Sequence, residues 1–321
     1  MWFTETACCV NYCTVSRFFF FIHFAQLNMA RTATEQTVSP KQVARAIGVS
    51  ESSVKRWCDR GSIATVRTDG GHRRITLPAV FEFLRENKHE LLHPDILGLP
   101  ATSGSIGWVI ERAKERFERA LLDGNEAGCF HVLLDQYLAG RTVSEIGDQI
   151  VAQAFHSIGD KWACDEIDVY HERRGCEMCV GSLIQMRSLL PPPSQKAPVA
   201  LGATISGDQY AIPGLLVDLV LRENGWQSTW LGGNLPFASL IEAVRQNKCA
   251  MFWLSLSHIA DEDEFLRGYQ DLHKSLPKKT AVIVGGRALT ESIRRRVRYF
   301  AHCDHLEHLA EVATKLRENI E

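Results

Sequence analysis

Two groups of residues have types and spacings suited to binding chemistry. Ser52, Ser53, Lys55, Arg56 and Arg60 fall close together, and Arg67, His72, Arg73 and Arg74 follow around the dipeptide Gly70-Gly71. Hydroxyls, ammonium and guanidinium groups in such density suit the neutralising and hydrogen bonding of phosphate oxygens, and Arg and Lys also match the acceptor edge of guanine. The second group lies far along the chain, at the ends of apolar runs: Asp208 and Tyr210, then Ser255 and Ser257, then Gly285-Gly286. That set offers an acid, a phenol, two hydroxyls and two glycines that let backbone come close to a ligand. It contains no nucleophile–base pair, and no catalytic residue is assigned.

The first group needs short helices and a hairpin to hold it. Ser39 reads as an N-cap, Pro40 suits the first helical position and Gln42 completes a capping box. Val43, Ala44 and Ile47 form an apolar stripe, Gly48 stops the helix and Ser50 caps a second one. That second helix buries Val54 and Trp57 and exposes Ser52, Ser53, Lys55, Arg56 and Arg60. Ile63 to Val66 and Arg73 to Ile75 read as two strands joined by the turn Asp69-Gly70-Gly71, and Thr76 caps a helix with Val80, Phe81 and Leu84 inward. This is a winged helix-turn-helix pattern. Residues 31–87 hold ten Lys/Arg and six Asp/Glu, a local excess of +4 in a chain whose net charge is −2. Local positive charge in an acidic chain is the footprint of phosphate contact rather than of a protein-docking role for the same module. Over residues 37–87 the sequence VSPKQVARAIGVSESSVKRWCDRGSI and the GGHRRI wing resemble the MerR family of transcription regulators. Lys55 and Arg56 are the major-groove candidates, Arg67, Arg73 and Arg74 the backbone candidates, and His72 either touches phosphate or braces the wing.

At 321 residues, 45% hydrophobic and 23% charged, the chain is long enough for several globular domains. Ten irregularly spaced cysteines do not form a disulfide scaffold, and with a DNA-binding module they fit a reducing cytoplasm. Residues 1–36 read as disordered or as a mis-assigned start. The run Phe18-Phe19-Phe20-Phe21-Ile22 is too short to span a bilayer, and Met29 opens an ordinary polar lead into the helix-turn-helix. The DNA-binding domain covers 37–90, and 91–106, rich in Pro, Gly and Ser, reads as a linker. Residues 107–190 carry helical periodicity in four stretches, 108–122, 125–138, 143–162 and 169–190, the pattern of a small helical bundle. Residues 197–321 alternate short apolar strands with helices, the pattern of a Rossmann- or flavodoxin-like parallel sheet, which binds ligands beyond the carboxyl ends of its strands. The second residue group lies at those ends.

From residue 107 to 321 the chain resembles the cobalamin-binding module of methionine synthase. With the N-terminal module included, it resembles the light-responsive cobalamin-dependent MerR-type repressors. The resemblance implies a corrin held between bundle and sheet, with Trp162 and Glu172 above it and Asp208, Tyr210, Ser255, Ser257, Gly285 and Gly286 around it. The family's acidic–x–His–x–x–Gly motif places its cobalt-ligating His where this chain has Tyr210, and its Gly where this chain has Pro213. In the bundle, the family's Glu-His pair is Glu172-Arg173, and the His that follows the Trp is Ala163. A neutral phenol is a poor cobalt ligand beside an imidazole. Three readings follow. The domain serves oligomerisation or docking of an antagonist protein without cobalamin, it binds another small molecule, or it binds cobalamin through the cofactor's own base.

Other clusters are weaker. Cys176 and Cys179 share a helix face and read as buried small residues rather than a metal site. His302, His305 and His308 could approach one another only on a continuous helix. His258 lies just past a strand end, and His171 adjoins Glu172. Arg294-Arg295-Arg296 reads as a solvated helix face. The sequence reading is therefore a non-enzymatic cytoplasmic regulator, a repressor on family resemblance, that binds double-stranded DNA and self-associates, since one short recognition helix gains affinity from paired half-sites. A corrinoid group-transfer protein is the enzymatic alternative.

Overall fold

Ser39 and Gln42 cap each other: the Gln42 N–H donates to Ser39 Oγ at 3.2 Å and the Ser39 N–H donates to Gln42 Oε1 at 2.9 Å. This reciprocal pair opens α1 (Pro40–Ala46), and Ser50 opens α2 (Glu51–Asp59) by accepting from the Ser53 N–H. The computed structural model describes residues 37–99 and 110–320, so the expectations for residues 1–36 and for the later part of the linker lie outside the described residues. The wing strands are β2 (Val66–Arg67) and β3 (Arg73–Thr76), followed by α3 (Leu77–Asn87). The first wing strand starts later than its apolar pattern predicts, because Ile63 is a buried core anchor. A two-residue strand, β1 (Thr37–Val38), pairs with β3 and is too short to leave a periodic signal.

The start of the expected linker is folded. Pro94–Leu97 forms a 3-10 turn, Leu91, Leu97 and Leu99 are buried, and the Leu92 and His93 N–H groups donate to the Ala46 carbonyl at 2.8 and 2.9 Å. The folded N-terminal unit therefore continues past residue 90.

The helical cap consists of α4 (Ile110–Asp123), α5 (Glu126–Leu138), α6 (Val143–Ile146), α7 (Ala152–Ala163) and α8 (Val169–Leu189). Between α6 and α7, Gly147–Val151 winds as a π-helix, a local irregularity that recurs at functional sites. Asp148 in that segment accepts from the Leu306 and Glu307 N–H groups, each at 3.1 Å.

The C-terminal domain alternates β4 (Val199–Ala203), α9 (Ala211–Glu223), β5 (Gln227–Trp230), α10 (Phe237–Asn247), β6 (Met251–Ser255), α11 (Glu262–Ser275), β7 (Ala281–Gly285), α12 (Glu291–Arg294), β8 (Ala301–His302) and α13 (Leu306–Glu318). The sheet is parallel, in the order β5-β4-β6-β7-β8. Chain order therefore reverses at β4, which places the switch point between β4 and β6. Strand alternation divides the apolar side chains. Ala200, Met251, Trp253 and Ile283 face the cluster shared with the bundle, and Leu201, Phe252, Leu254 and Val282 face α10 and α11.

Bundle and sheet are joined through a buried ion network. Asp218 of α9 is fully buried, and its Oδ2 meets Arg187 of α8 at 3.2 Å and Arg222 at 3.0 Å. Removing one member of such a network leaves the others uncompensated away from water. Asp218→Ala should lower stability by about 3–5 kcal/mol, the usual cost of breaking a buried ion pair. Urea unfolding monitored by circular dichroism reads this directly, and an unchanged midpoint would remove the network from the account of how cap and sheet are held.

Candidate functional site

The helix-turn-helix presents its basic residues on one element and braces them from behind. Val54 and Cys58 of α2 are buried, and Trp57 packs on Phe83 and His89 at ring separations of 4.7 and 5.3 Å. That fixes the opposite face, with Ser52, Lys55, Arg56 and Arg60, toward solvent. Ser53 is only half-buried and bonds Ser50 Oγ, so it shapes the first turn of the helix as well as its surface. Lys55 pairs with Glu51 at 2.8 Å and holds that carboxyl below its usual range. On the wing, Arg67 and His72 are exposed and Arg74 is half-buried. The Thr68 hydroxyl accepts from the His72 N–H at 3.2 Å, so the His72 backbone braces the turn while its ring stays outside. Arg73 differs from its neighbours: its guanidinium pairs with Asp59 at the end of α2. It ties the wing to the end of α2.

The second group surrounds a cavity of about 790 Å³ between the cap and the carboxyl ends of the strands. Trp162, Glu172, Tyr210, Ser255, Ser257, Gly285 and Gly286 all line it. Asp208 does not. It is fully buried behind the wall, where Oδ1 accepts from the Tyr210 N–H at 3.1 Å and Oδ2 accepts from the Ser257 and His258 N–H groups at 2.6 and 3.1 Å. The acid of the motif thus ties the loop after β4 to the loop after β6. Gly285 and Gly286 also have a structural reason. A Cβ on Gly286 would meet the Leu256 backbone and one on Gly285 the Cys303 carbonyl, and Gly286 has φ +105°. They are glycines because neighbouring backbone crosses there, not only to admit a ligand.

Tyr210 stands at the start of α9, with the Arg287 guanidinium 5.4 Å from its ring centre. Arg287 Nε donates to the Ser257 carbonyl at 3.3 Å, which holds the arginine at the cavity edge. Arg173, standing where the family has a histidine, also lines the cavity. So does Cys176, whose thiol donates to Glu172 Oε1 at 3.4 Å and is pushed up to about 12, by burial first and by the neighbouring carboxylate second. Cys179, its apparent partner by spacing, is fully buried elsewhere in the core.

Among the described residues, no histidine belongs to a group able to hold a metal ion. His302 pairs with Asp304 at 3.1 Å, and His305 is the N-cap residue of α13. His258 is exposed, and the His171 ring packs against Tyr170 at 3.9 Å. Two imidazoles do lie on the cavity wall, those of His156 and His305, but both residues are exposed and neither occupies the Tyr210 position. Arg295 pairs with Glu291, Arg296 with Glu262 at 2.6 Å, and Arg294 with His302 Nδ1 at 3.1 Å, so this arginine run is engaged within the domain.

Trp253 and Arg287 also stand on the cavity wall. Trp253 sits within a buried strand and reads as core, and Arg287 follows the glycine pair without a motif of its own. Phe155 and His156 enter the wall because the π-helix and α7 run along it. None of these carries a sequence signal beyond its neighbours.

These two sites define the class: a winged helix-turn-helix joined to a corrinoid-binding type of frame. A helix-turn-helix domain family matches residues 37–88, and a B12 binding domain family matches residues 113–180. The chain is 24% identical to the HTH-type transcriptional repressor CarA of Myxococcus xanthus, over 80% of this chain and 89% of that repressor. It is 21% identical to the methionine synthase of Mycobacterium tuberculosis over 68% of this chain, but over only 19% of the synthase. The monomethylamine corrinoid protein of Methanosarcina barkeri shares the fold at a TM-score of 0.55 and 18% identity, over 65% of this chain and all of that one. The chain is a helix-turn-helix DNA-binding regulator with a cobalamin-binding-type module. Among the described residues, no helix is long and apolar enough to cross a membrane.

Lys55→Ala and Arg56→Ala should each weaken binding to duplex DNA, with Arg56→Ala costing about 1–3 kcal/mol if it reads a base and either one lowering the salt slope by about 1 if it meets phosphate. Arg294→Ala, on the far domain, should leave both unchanged. Salt-controlled gel-shift titrations compare the three, and equal losses would move the interface away from α2.

Proposed function

We propose that the chain is a transcription repressor whose hold on its operator depends on what occupies the cavity between cap and sheet. The observation that carries this reading is Arg85. It lies on α3, the last helix of the winged domain, yet its side chain reaches both other modules. Its guanidinium sits 3.7 Å over the Tyr137 ring of α5, and Nη1 donates to the Tyr137 and Arg141 carbonyls at 3.1 and 3.0 Å. It also faces Glu223, at the end of α9, at 3.5 Å. Glu223 in turn accepts from the Val143 N–H, the start of α6, at 2.7 Å. From α6 the chain runs directly into the π-helix, where Gly147 and Asp148 line the cavity. A continuous set of packed and hydrogen-bonded groups therefore joins the cavity wall to the helix that carries the wing.

A corrin fits the frame better than it fits the expected donor set. The cavity lies between a helical cap and strand ends, with Trp162 and Glu172 on the cap side and Ser255, Ser257 and the glycine turn on the sheet side. Bound there, a corrin would supply a cobalt centre able to exchange ligands. Trp162, Glu172, Ser255, Ser257 and the Gly285-Gly286 turn would hold the ring and shield it from water, with Tyr210 also on the wall. With a phenol rather than an imidazole in that position, axial control by the protein is weakened. That observation favours the second reading, in which the module docks an antagonist protein or a second copy without a cofactor. A corrinoid group-transfer activity has less support, since the relative matching most of the chain is a repressor.

A ligand shifts the DNA-bound population only by its differential affinity for the two states. Self-association at paired half-sites would multiply that effect. Protein incubated in the dark with excess cobalamin or cobinamide and then desalted should retain a stoichiometric corrin absorption spectrum from at least one of them, and loss of all colour from both would favour the cofactor-free reading. Arg85→Ala should leave corrin retention intact while bringing the ligand-dependent change in operator affinity toward one. The usual range for such coupling is about 5–150-fold. Gel-shift titration with and without corrin reads the ratio, and an unchanged ratio would take Arg85 out of the coupling.

A further inference from the structure

The cavity has an aromatic floor, and the floor limits the shape of what it accepts. Trp230 of β5, Gly202 of β4 and Trp253 of β6 are register partners, so they stand side by side in one row on the same face of the sheet. Gly202 has no side chain. A Cβ placed there would fall within the Trp253 indole, so this glycine is what allows that indole to fold across β4. The two indoles stack, with centroids 5.4 Å apart and planes within 9°. Gly214 repeats the device from above: a Cβ at that point of α9 would run into Trp230. Two glycines, one on the sheet and one on the helix, thus make room for two of the largest side chains.

The space they fill lies between the sheet and α9, next to the switch point of the strand order. Trp253 is 2% exposed, yet it borders the cavity together with Leu216 of α9 and Ile283 of β7. Its Nε1–H is buried and has no hydrogen-bond acceptor among the described residues. A buried indole N–H normally finds a partner, so an unpartnered one on a cavity wall is a donor suited to a ligand acceptor.

We infer that Trp253 is a specificity-determining residue of this cavity, admitting a corrin ring above the strand ends and excluding the nucleotide arm that a complete cobalamin carries on its lower face. The inference rests on the corrin reading above. The Trp230–Trp253 stack fills the space between the sheet and α9 beside the cavity, so a bulky arm on the ring's lower face finds no room on that side. The ligand class is therefore an incomplete corrinoid, whose ring amides can accept from the Trp253 indole while no lower arm competes for the floor.

The test compares two available probes on the full chain, aquocobinamide (ring without nucleotide) and hydroxocobalamin (ring with it). Both are titrated by quenching of tryptophan emission and by the shift of the visible corrin bands. The unaltered protein should bind cobinamide at least about tenfold more tightly than cobalamin, the ratio expected for a difference of 1.4 kcal/mol. Trp253→Ala should bring the two affinities together by improving cobalamin. If that variant does not fold, the comparison on the unaltered protein still decides. Cobalamin binding as tight as cobinamide would overturn the inference and leave the corrin reading standing. Binding of neither would overturn both.

Discussion

The architecture of the cavity depends on one buried carboxylate. Asp208 lies at the switch point between β4 and β6, and its two oxygens accept three backbone N–H groups, from Tyr210, Ser257 and His258. A carboxylate out of water is stable only when its lone pairs are satisfied, and these amides do so without a basic partner. The result is mechanical. The loop leaving β4 and the loop leaving β6 cannot separate without stranding the charge. Tyr210 is therefore held at the start of α9, and the Ser257 carbonyl is held for Arg287.

Around that tie the modules are joined by charged groups rather than by apolar packing alone. Asp218 clamps α8 to α9, Asp148 ties the π-helix to the start of α13, and Arg85 bridges the winged domain to both α5 and α9. Geometry is what makes such contacts useful. A buried ion pair adds little net stability over an apolar pair of the same volume, but it tolerates few alternative arrangements. A cavity bounded by such ties has walls that move as units. The tightly packed rows on the sheet act in the same direction. Trp230, Gly202 and Trp253 leave no slack between β4, β6 and α9.

What the chain does at its two sites follows from opposite uses of surface. At α2 the long basic side chains are left outside, with Trp57, Phe83 and His89 stacked beneath them, so that charge faces solvent from a fixed platform. At the cavity, one acid, Asp208, is drawn behind the wall and satisfied by backbone, while aromatic, hydroxyl and aliphatic side chains share the lining with charged ones such as Asp148, Glu172, Arg173 and Arg287. Arg73 stands between these uses: it belongs to the basic wing by sequence, but pairing with Asp59 turns it into a brace.

Much of this was legible in the sequence, because local rules carry it. The capping box at Ser39, the turn at Gly48, the cap at Ser50 and the Gly70-Gly71 wing each act over a few residues, and together they specify a winged helix-turn-helix. The switch from helical to alternating periodicity near residue 197 likewise determined the order of bundle and parallel sheet. The spacing of Trp162, Glu172, Asp208, Tyr210, Ser255, Ser257 and the glycine pair determined which loops meet, since strand ends in a parallel sheet share one edge. Tertiary structure alone decided the roles. Whether Asp208 faces the cavity or the backbone, whether Gly285 and Gly286 serve a ligand or a crossing strand, and whether Arg73 is free depend on partners 14 to 50 residues away. The same holds for Trp253, which reads as core in its own strand. Only the register that sets it beside Gly202 and Trp230 makes it the floor of a cavity, because no local pattern records what lies across a sheet.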